Sequence, residues 1–428
     1  MYWSKMKRAN EKNGLKYRSK ALKIAMLSIH SSPIGDLGTR DTGGMSVYVR
    51  EMAKELGKKG HHIDIFTQHN VGKHDPVIQL YDNVRLIHLP GGTPGTIVKS
   101  SLYEVLPQLF NELESFRIKE HITYDIIHSH YWLSGILGLK LQSSWNVYHL
   151  ITYHTIGAVK NLTCSTENAS ELRLANEKKL AKLCDQIVVP TQKEKEYLRQ
   201  YYNIPYDKIR MIPCGVNLDI FNPRDKISAR RQLGFRSDDR IILYVGRYTP
   251  IKGIDRLLTT FLNLAHLTHL RLVLVGGDGE HSSMFKELQS KAKTLDIENC
   301  LIFAGRVEQK ILPEYYSAAD VLAVPSYYES FGLVALEALA CGTPVVTTPV
   351  GAMENIVQDG VAGYVSTDSD PQQFAKDIET ILLKQQHNGL SSSKIRATVA
   401  EYTWSRSASL LLDAYRTALE GTLETGIG

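Results

Sequence analysis

The chain has 428 residues, too many for one ordinary domain, and its 43% hydrophobic and 22% charged content suits a globular protein with material for two cores. No run approaches the roughly 18 consecutive apolar residues that a membrane-spanning helix needs. The net charge of +5 belongs to the leader: residues 1–23 hold eight Lys/Arg against Glu11 alone, while the rest sets 42 Lys/Arg against 44 Asp/Glu, which argues against a nucleic-acid binder.

A secretory signal would follow such charges with a longer apolar stretch and a small-residue cleavage site. Here the run Ile24–Ile29 is short and stops at His30-Ser31-Ser32, so it reads as a first core strand. Residues 1–20 are expected to form a solvated, mobile basic tail. The five cysteines (Cys164, Cys184, Cys214, Cys300 and Cys341) are odd in number and contain no Cys-x-x-Cys pair, which points to the cytoplasm.

Short apolar runs alternate with helix-length segments along the chain. The first half offers strands at Leu22–Ile29, His62–Thr67, Val84–Leu89, Tyr124–His128, Val147–Thr152 and Gln186–Pro190. The second offers Arg240–Val245, Leu270–Val275, Cys300–Ala304, Asp320–Pro325, Pro344–Thr347 and Gly363–Ser366. These runs are continuous rather than alternating, as parallel strands covered on both faces require. Between the first two, Met45–Lys59 carries Val49, Met52, Ala53 and Leu56 as one helical stripe, and Gly60 stops it. The order predicts an α/β fold of two doubly wound, Rossmann-like domains, 21–215 and 216–400, facing a central cleft. The hinge is placed at the Pro- and Gly-bearing stretch Met211–Asn217, and 401–428 follow as a C-terminal helical segment.

Several motifs carry chemistry. Gly43-Gly44 opens the first helix, where glycines allow close approach and free N–H groups attract phosphate. His128 and His130 alternate at a strand end with His154 not far off, but no carboxylate or cysteine supplies a metal-ligand spacing, so no metal is expected. Gly246-Arg247-Tyr248-Thr249-Pro250-Ile251-Lys252-Gly253 follows a strand and places two cations where a diphosphate could gather charge. Gly277-x-Gly279-x-x-Ser282 approximates a dinucleotide fingerprint, with Ser in place of the last Gly or Ala. In Glu329-Ser330-Phe331-Gly332-Leu333-Val334-Ala335-Leu336-Glu337 the second glutamate sits among apolar residues, where a carboxylate needs partners such as vicinal sugar hydroxyls. Asp368-Ser369-Asp370 precedes Pro371 and reads as a helix cap.

The Glu329–Glu337 segment, the Arg247…Lys252 loop and Gly43-Gly44 together resemble the family 4 retaining glycosyltransferases of GT-B fold. The resemblance spans roughly Lys23 to Tyr415 and is strongest to sucrose-phosphate synthases and the mycothiol-pathway glycosyltransferase. It implies that Arg247 and Lys252 bind the donor diphosphate, that Glu329 holds the transferred sugar with backbone at Phe331 and Gly332, and that Glu337 binds the ribose. Backbone near Arg306-Val307 would meet the base, and His154 would lie beside the reacting centre. Lys99, Tyr131, Thr155, Lys160 and Arg173 would bind an acceptor phosphate, and the C-terminal helix Ser405–Leu419 would cross back to the first domain. Met45 and Ser46 depart from the residues of the two subgroups, so the acceptor stays open between a sugar phosphate and an inositol phosphate.

The expected activity is therefore retaining hexosyl transfer (a hexosyltransferase) from a nucleotide sugar, UDP-glucose or UDP-N-acetylglucosamine, to a small phosphorylated acceptor, without cofactor or metal. The rivals are a nucleotide-sugar epimerase or hydrolase of the same fold, a nicotinamide-dependent oxidoreductase and a non-catalytic glycan-binding module. A homodimer is left open.

Overall fold

The structure is a computed structural model that describes residues 20–35, 42–69, 75–91, 101–163, 168–277, 279, 282–367, 370–386 and 390–424. Among these, the strands form two sheets. The first holds β1 (Lys23–Leu27), β2 (His62–His69), β3 (Val77–Tyr81), β4 (Val84–Pro90), β5 (Ile126–His130), β6 (Tyr148–Thr152), β7 (Gln186–Val189) and β8 (Ile209–Met211). Their order is β3-β4-β2-β1-β5-β6-β7-β8, and only the β3–β4 pair is antiparallel. The second holds β9 (Arg240–Val245), β10 (Leu270–Val275), β11 (Leu301–Gly305), β12 (Val321–Val324), β13 (Val345–Thr347) and β14 (Gly363–Val365). It is parallel throughout, in the order β11-β10-β9-β12-β13-β14.

Both sheets wind outward from their first strand and then return to its other side. The reversal falls between β1 and β5 in one and between β9 and β12 in the other. Continuous apolar strands explain why helices cover both faces: Ile24, Ala25, Met26 and Leu27 are fully buried, as are Ile242 and Leu243. Val49, Met52, Ala53 and Leu56, the stripe expected on the first helix, are all buried on Gly44–Lys58, and Gly60 leaves that helix with φ 84°.

Every expected strand is present, and two more appear. β3 is an edge strand whose residues are half-buried or exposed, so it lacks the continuous apolar signature. β8 is three residues long and ends at Met211, so the connection between the sheets starts at Ile212, one residue later than the sequence suggested. That connection is stapled to the end of the chain. Val216 N–H donates to Tyr402 O at 2.9 Å and Ser407 Oγ to Pro213 O at 2.7 Å. The helix Trp404–Glu424 then packs on Gly44–Lys58, and its buried Tyr415 hydroxyl reaches His128 Nδ1 of β5 at 2.7 Å. The expected basic tail lies, up to residue 19, outside the described residues.

The staple leaves no room at Gly215, where a Cβ would stand 2.2 Å from the Trp404 nitrogen. Gly215→Ala should therefore destabilise the protein by about 2 kcal/mol or more, read by calorimetry as a Tm lower by roughly 5 °C. An unchanged Tm would mean that this contact does not hold the connection.

Candidate active site

Parallel strands leave an uncovered crevice at their carboxyl ends where the winding reverses. Here the crevices of both sheets open into one cavity of about 420 Å³ between the two halves. His30 and Ser31 reach it after β1, Tyr131 after β5, Arg247 and Lys252 after β9, and the stretch Tyr328 to Val334 after β12.

The second-half wall is built on one close approach. Gly253 has φ 68°, and a Cβ there would stand 2.0 Å from the Pro325 carbonyl, so only glycine lets the two strand-end loops touch. Lys252 Nζ thereby reaches Glu329 Oε1 at 2.7 Å, and Ser326 Oγ donates to the same oxygen at 2.8 Å. Tyr244 OH donates to the Arg247 carbonyl at 2.7 Å, anchoring the loop from below. Gly332 opens the helix Leu333–Ala340, whose first turn lines the cavity and presents the helix's positive end. The Phe331 carbonyl accepts from Ala352 N–H, which fixes the peptide just before that turn.

Glu337 lies one turn further along this helix and accepts from Tyr316 OH at 2.8 Å. Burial pushes its carboxyl up to about 7, with Tyr316, Arg50 and Gln309 pulling the other way. Arg50, from the first half, donates to Gln309 Oε1 at 2.5 Å, so the Glu337 wall is tied across the cleft. Arg306 and Val307, expected near a nucleotide base, line the same cavity.

The first-half wall gathers four of the five expected acceptor residues; the fifth, Lys99, lies outside the described residues. Arg173, on the helix Glu171–Leu183, gives Nη2 to both Thr155 O and Thr155 Oγ1 at 2.9 Å and stacks its guanidinium 4.9 Å from the Tyr131 ring centre. Its Nε donates to Glu177 at 2.6 Å. Arg173 thus meets the cavity as half of a buried ion pair with Glu177. Lys160 lines the cavity from the short helix Gly157–Thr163. Gly43 and Gly44 also line it, and a Cβ on Gly43 would meet nothing among the described residues within 4 Å. Packing alone gives no reason for glycine at 43; the cavity does.

His128, His130 and His154 stack together beside the cavity. His128 uses both ring nitrogens, on the Tyr415 hydroxyl and on Thr152 Oγ1 at 2.9 Å, and His130 Nδ1 lies 3.0 Å from His154 Nε2. Burial pushes His128 and His154 down to about 3, so both rings are neutral at pH 7. His154 and Tyr131 hold φ of 61° and 72°, a left-handed conformation costly for side chains of their size and retained at the cavity's edge. Among the described residues, no group of three His, Cys, Asp or Glu is placed to hold a metal.

Other motifs resolve as packing. Ser282 of the dinucleotide-like stretch caps the helix Ser283–Thr294 by accepting from Phe285 N–H, and Asp370 accepts from Gln372 N–H at the start of Pro371–Gln386. Asp368 and Ser369 lie outside the described residues. Sequence reasoning missed Tyr48, whose ring stands edge-on to His154 at 5.1 Å, and also Tyr328, Ser326 and the cross-cleft Arg50–Gln309 contact. Tyr48 lies one helical turn after Gly44, a spacing that could have flagged it.

Comparison with known proteins agrees with this geometry. Residues 42–220 match the family model described as Glycosyltransferase Family 4, and residues 225–399 match Glycosyl transferases group 1. A D-inositol 3-phosphate glycosyltransferase of Xylanimonas cellulosilytica is 34% identical over 406 residues, 92% of this chain and 97% of the relative. One from Mycobacteroides abscessus is 35% identical over 407 residues, 94% of this chain and 90% of the relative. Among solved structures, sucrose-phosphate synthase from Thermosynechococcus elongatus matches with a TM-score of 0.86 and 32% identity, over 94% of this chain and 100% of that one. The fingerprint that suggested an oxidoreductase finds its explanation in packing, and the chain belongs to the family 4 glycosyltransferases, with their GT-B fold.

Proposed function

We propose that this enzyme transfers a hexosyl unit from a nucleotide sugar to a hydroxyl of a small phosphorylated acceptor, with retention of configuration. The observation that carries the reading is that one cavity has Arg247, Lys252, Glu329 and Glu337 on one wall and Tyr131, Thr155, Lys160 and Arg173 on the other. The first set suits a diphosphate and two sugar diols, and the second suits a phosphate dianion. Relatives named for an inositol phosphate and a neighbour named for sucrose phosphate support the acceptor class. UDP-glucose and UDP-N-acetylglucosamine are the donors to try first.

In the step we favour, the acceptor oxygen bonds the anomeric carbon on the face the diphosphate leaves. The anomeric C–O bond to the diphosphate breaks, and the hydroxyl proton passes to the departing phosphate oxygen. Arg247, Lys252 and the Leu333–Ala340 helix start stabilise the charge that gathers there, which is why no metal is required and activity should persist in EDTA. His154, neutral and held by His130, positions the sugar beside Glu329. We place the reaction in the cytoplasm, since the described cysteines Cys184, Cys214, Cys300 and Cys341 are unpaired. Among the described residues, no helix is long and apolar enough to cross a membrane.

Released nucleoside diphosphate, measured with each donor and with fructose 6-phosphate, inositol phosphate, their unphosphorylated forms or no acceptor, tests the reading. Release without acceptor would favour the hydrolase or epimerase. Lys252→Ala and Glu329→Ala should each lower kcat by about 100-fold or more with an unchanged circular dichroism spectrum; near-wild-type turnover in both would sink the donor assignment. Lys160→Ala should raise KM for a phosphorylated acceptor about tenfold or more while leaving an unphosphorylated one little changed. It is a cleaner probe than Arg173→Ala, which would also strand the buried Glu177.

Glu337 adds a pH dependence. Its carboxyl is ionised above about pH 7 and protonated below, and protonation removes the charge that draws in two ribose hydroxyls. Donor binding by calorimetry should weaken as pH falls from 8 to 6, and Glu337→Gln should bind weakly without that slope. An unchanged slope in the variant would assign it to another group.

A further inference from the structure

The peptide that presents Glu329 is held from two sides. Its own half supplies Lys252 and Ser326 to the Glu329 carboxylate, and Tyr327 N–H donates to Ile251 O at 2.9 Å. The other half supplies Glu194, on the first turn of the helix Gln192–Tyr202 in the N-terminal half. Its Oε1 accepts from Tyr328 OH at 2.9 Å, and the Ser330 hydroxyl lies near enough to hold its carboxyl down. The residue immediately before Glu329 is therefore fastened to a carboxylate of the opposite domain. Tyr328 OH also lies 3.4 Å from the Ile156 N–H, two residues beyond His154. Glu194 is 2% exposed and Tyr328 6%.

A carboxylate with no cationic partner of its own is a costly group to bury, and a purely structural contact could use an amide or a hydroxyl. We infer that Glu194 is a positioning residue for glycosyl transfer: by gripping Tyr328 across the cleft, it sets the peptide frame from which Glu329 reaches the sugar, and it does so only while the two halves are together. The inference rests on the transferase reading for its kinetic consequence, though not for the contact itself.

The chemistry around Glu194 gives the grip a pH dependence. Burial pushes its carboxyl up to about 7, while the Ser330 and Tyr328 hydroxyls pull it back. Glu177 on the helix Glu171–Leu183 raises it further, Tyr197 shares its helix, and the Cys214 thiol faces it from the connection between the sheets. Separating the halves would return the carboxyl to water and to the ordinary range near 4.5. Between these values closure takes up a proton, so the closed form gains as pH falls toward 4.5 and loses as pH rises through 7. This is the opposite direction to the effect of Glu337.

The experiment compares the full-length wild type with Glu194→Ala, Glu194→Gln, Tyr328→Phe and the Glu194→Ala/Tyr328→Phe double variant. Amide exchange is followed without substrate, and transfer kinetics with the donor–acceptor pair found active. Glu194→Ala and Tyr328→Phe should speed exchange in peptides spanning 326–332 and at Ile156. Each should lower kcat about tenfold or more, and the double variant should be no worse than the worse single. Glu194→Gln should recover most of kcat and lose the part of the rise in donor KM that the wild type shows between about pH 4.5 and 7, while keeping the acid-side loss that belongs to Glu337. Unchanged exchange, additive losses in the double variant, or full kcat in both Glu194→Ala and Tyr328→Phe would overturn the inference. If the wild type transfers nothing, the functional reading fails, and exchange alone still decides whether Glu194 holds this loop.

Discussion

A strand in a parallel sheet must be left by a crossover, and where the winding reverses no helix covers its carboxyl end. That constraint determines where this protein can hold a ligand. β1 and β5 reverse in one sheet and β9 and β12 in the other, and all four strand ends feed a single cavity. The side chains found there come from positions just beyond the last strand residue, where the chain has freedom to turn. Gly253, Gly332, Tyr131 and His154, all with positive φ, are products of the same geometry.

Charge is distributed unevenly across that cavity. The second-half wall carries fixed cations and two acidic side chains, one of them paired with Lys252 and the other neutralised in part by burial. The first-half wall carries His154, kept neutral by burial, and the Arg173–Glu177 pair, balanced within itself. Under the proposed mechanism, a neutral ring would avoid repelling oxocarbenium character on the sugar, which a histidine at its ordinary pKa would bring at mildly acidic pH, and the cations would stand where the leaving group gathers negative charge. Contacts across the cleft, Arg50 with Gln309 and Lys193 with the Pro349 carbonyl and with Glu354, tie the walls together on both flanks.

Much of this was legible in the sequence, for physical reasons. Parallel strands buried on both faces must be continuously apolar, so Ile24–Leu27 or Leu272–Val275 announce themselves. Glu337 stood out because an acid among Leu336, Ala338, Leu339 and Ala340 needs a reason. β3 and β8 did not stand out, because an edge strand is half-solvated and a three-residue strand has no period. The burial of the Arg173–Glu177 pair did not stand out, since an acid four residues after an Arg on a helix is commonplace. Glu194 was invisible: it follows the capping Thr191 by three residues, where an acid in a first helical turn is commonplace. What sets it apart is a partner 134 residues away, which no local pattern records.

The helix Trp404–Glu424 has a bearing on how this chain comes into being. Its residues Leu411 and Tyr415 share one buried cluster with Tyr48, Met52 and Ile126, so the first sheet's core includes side chains made nearly three hundred residues after its own helix and strand. The N-terminal half emerges some two hundred residues before that core can close, with the His128 ring and the apolar face of Gly44–Lys58 uncovered in the meantime. Contacts of such long sequence separation are slow to form and expose sticky surface while they wait. Folding of the first half is thus coupled to synthesis of the helix Trp404–Glu424, and a chain cut before that helix would lack part of a core that otherwise looks whole.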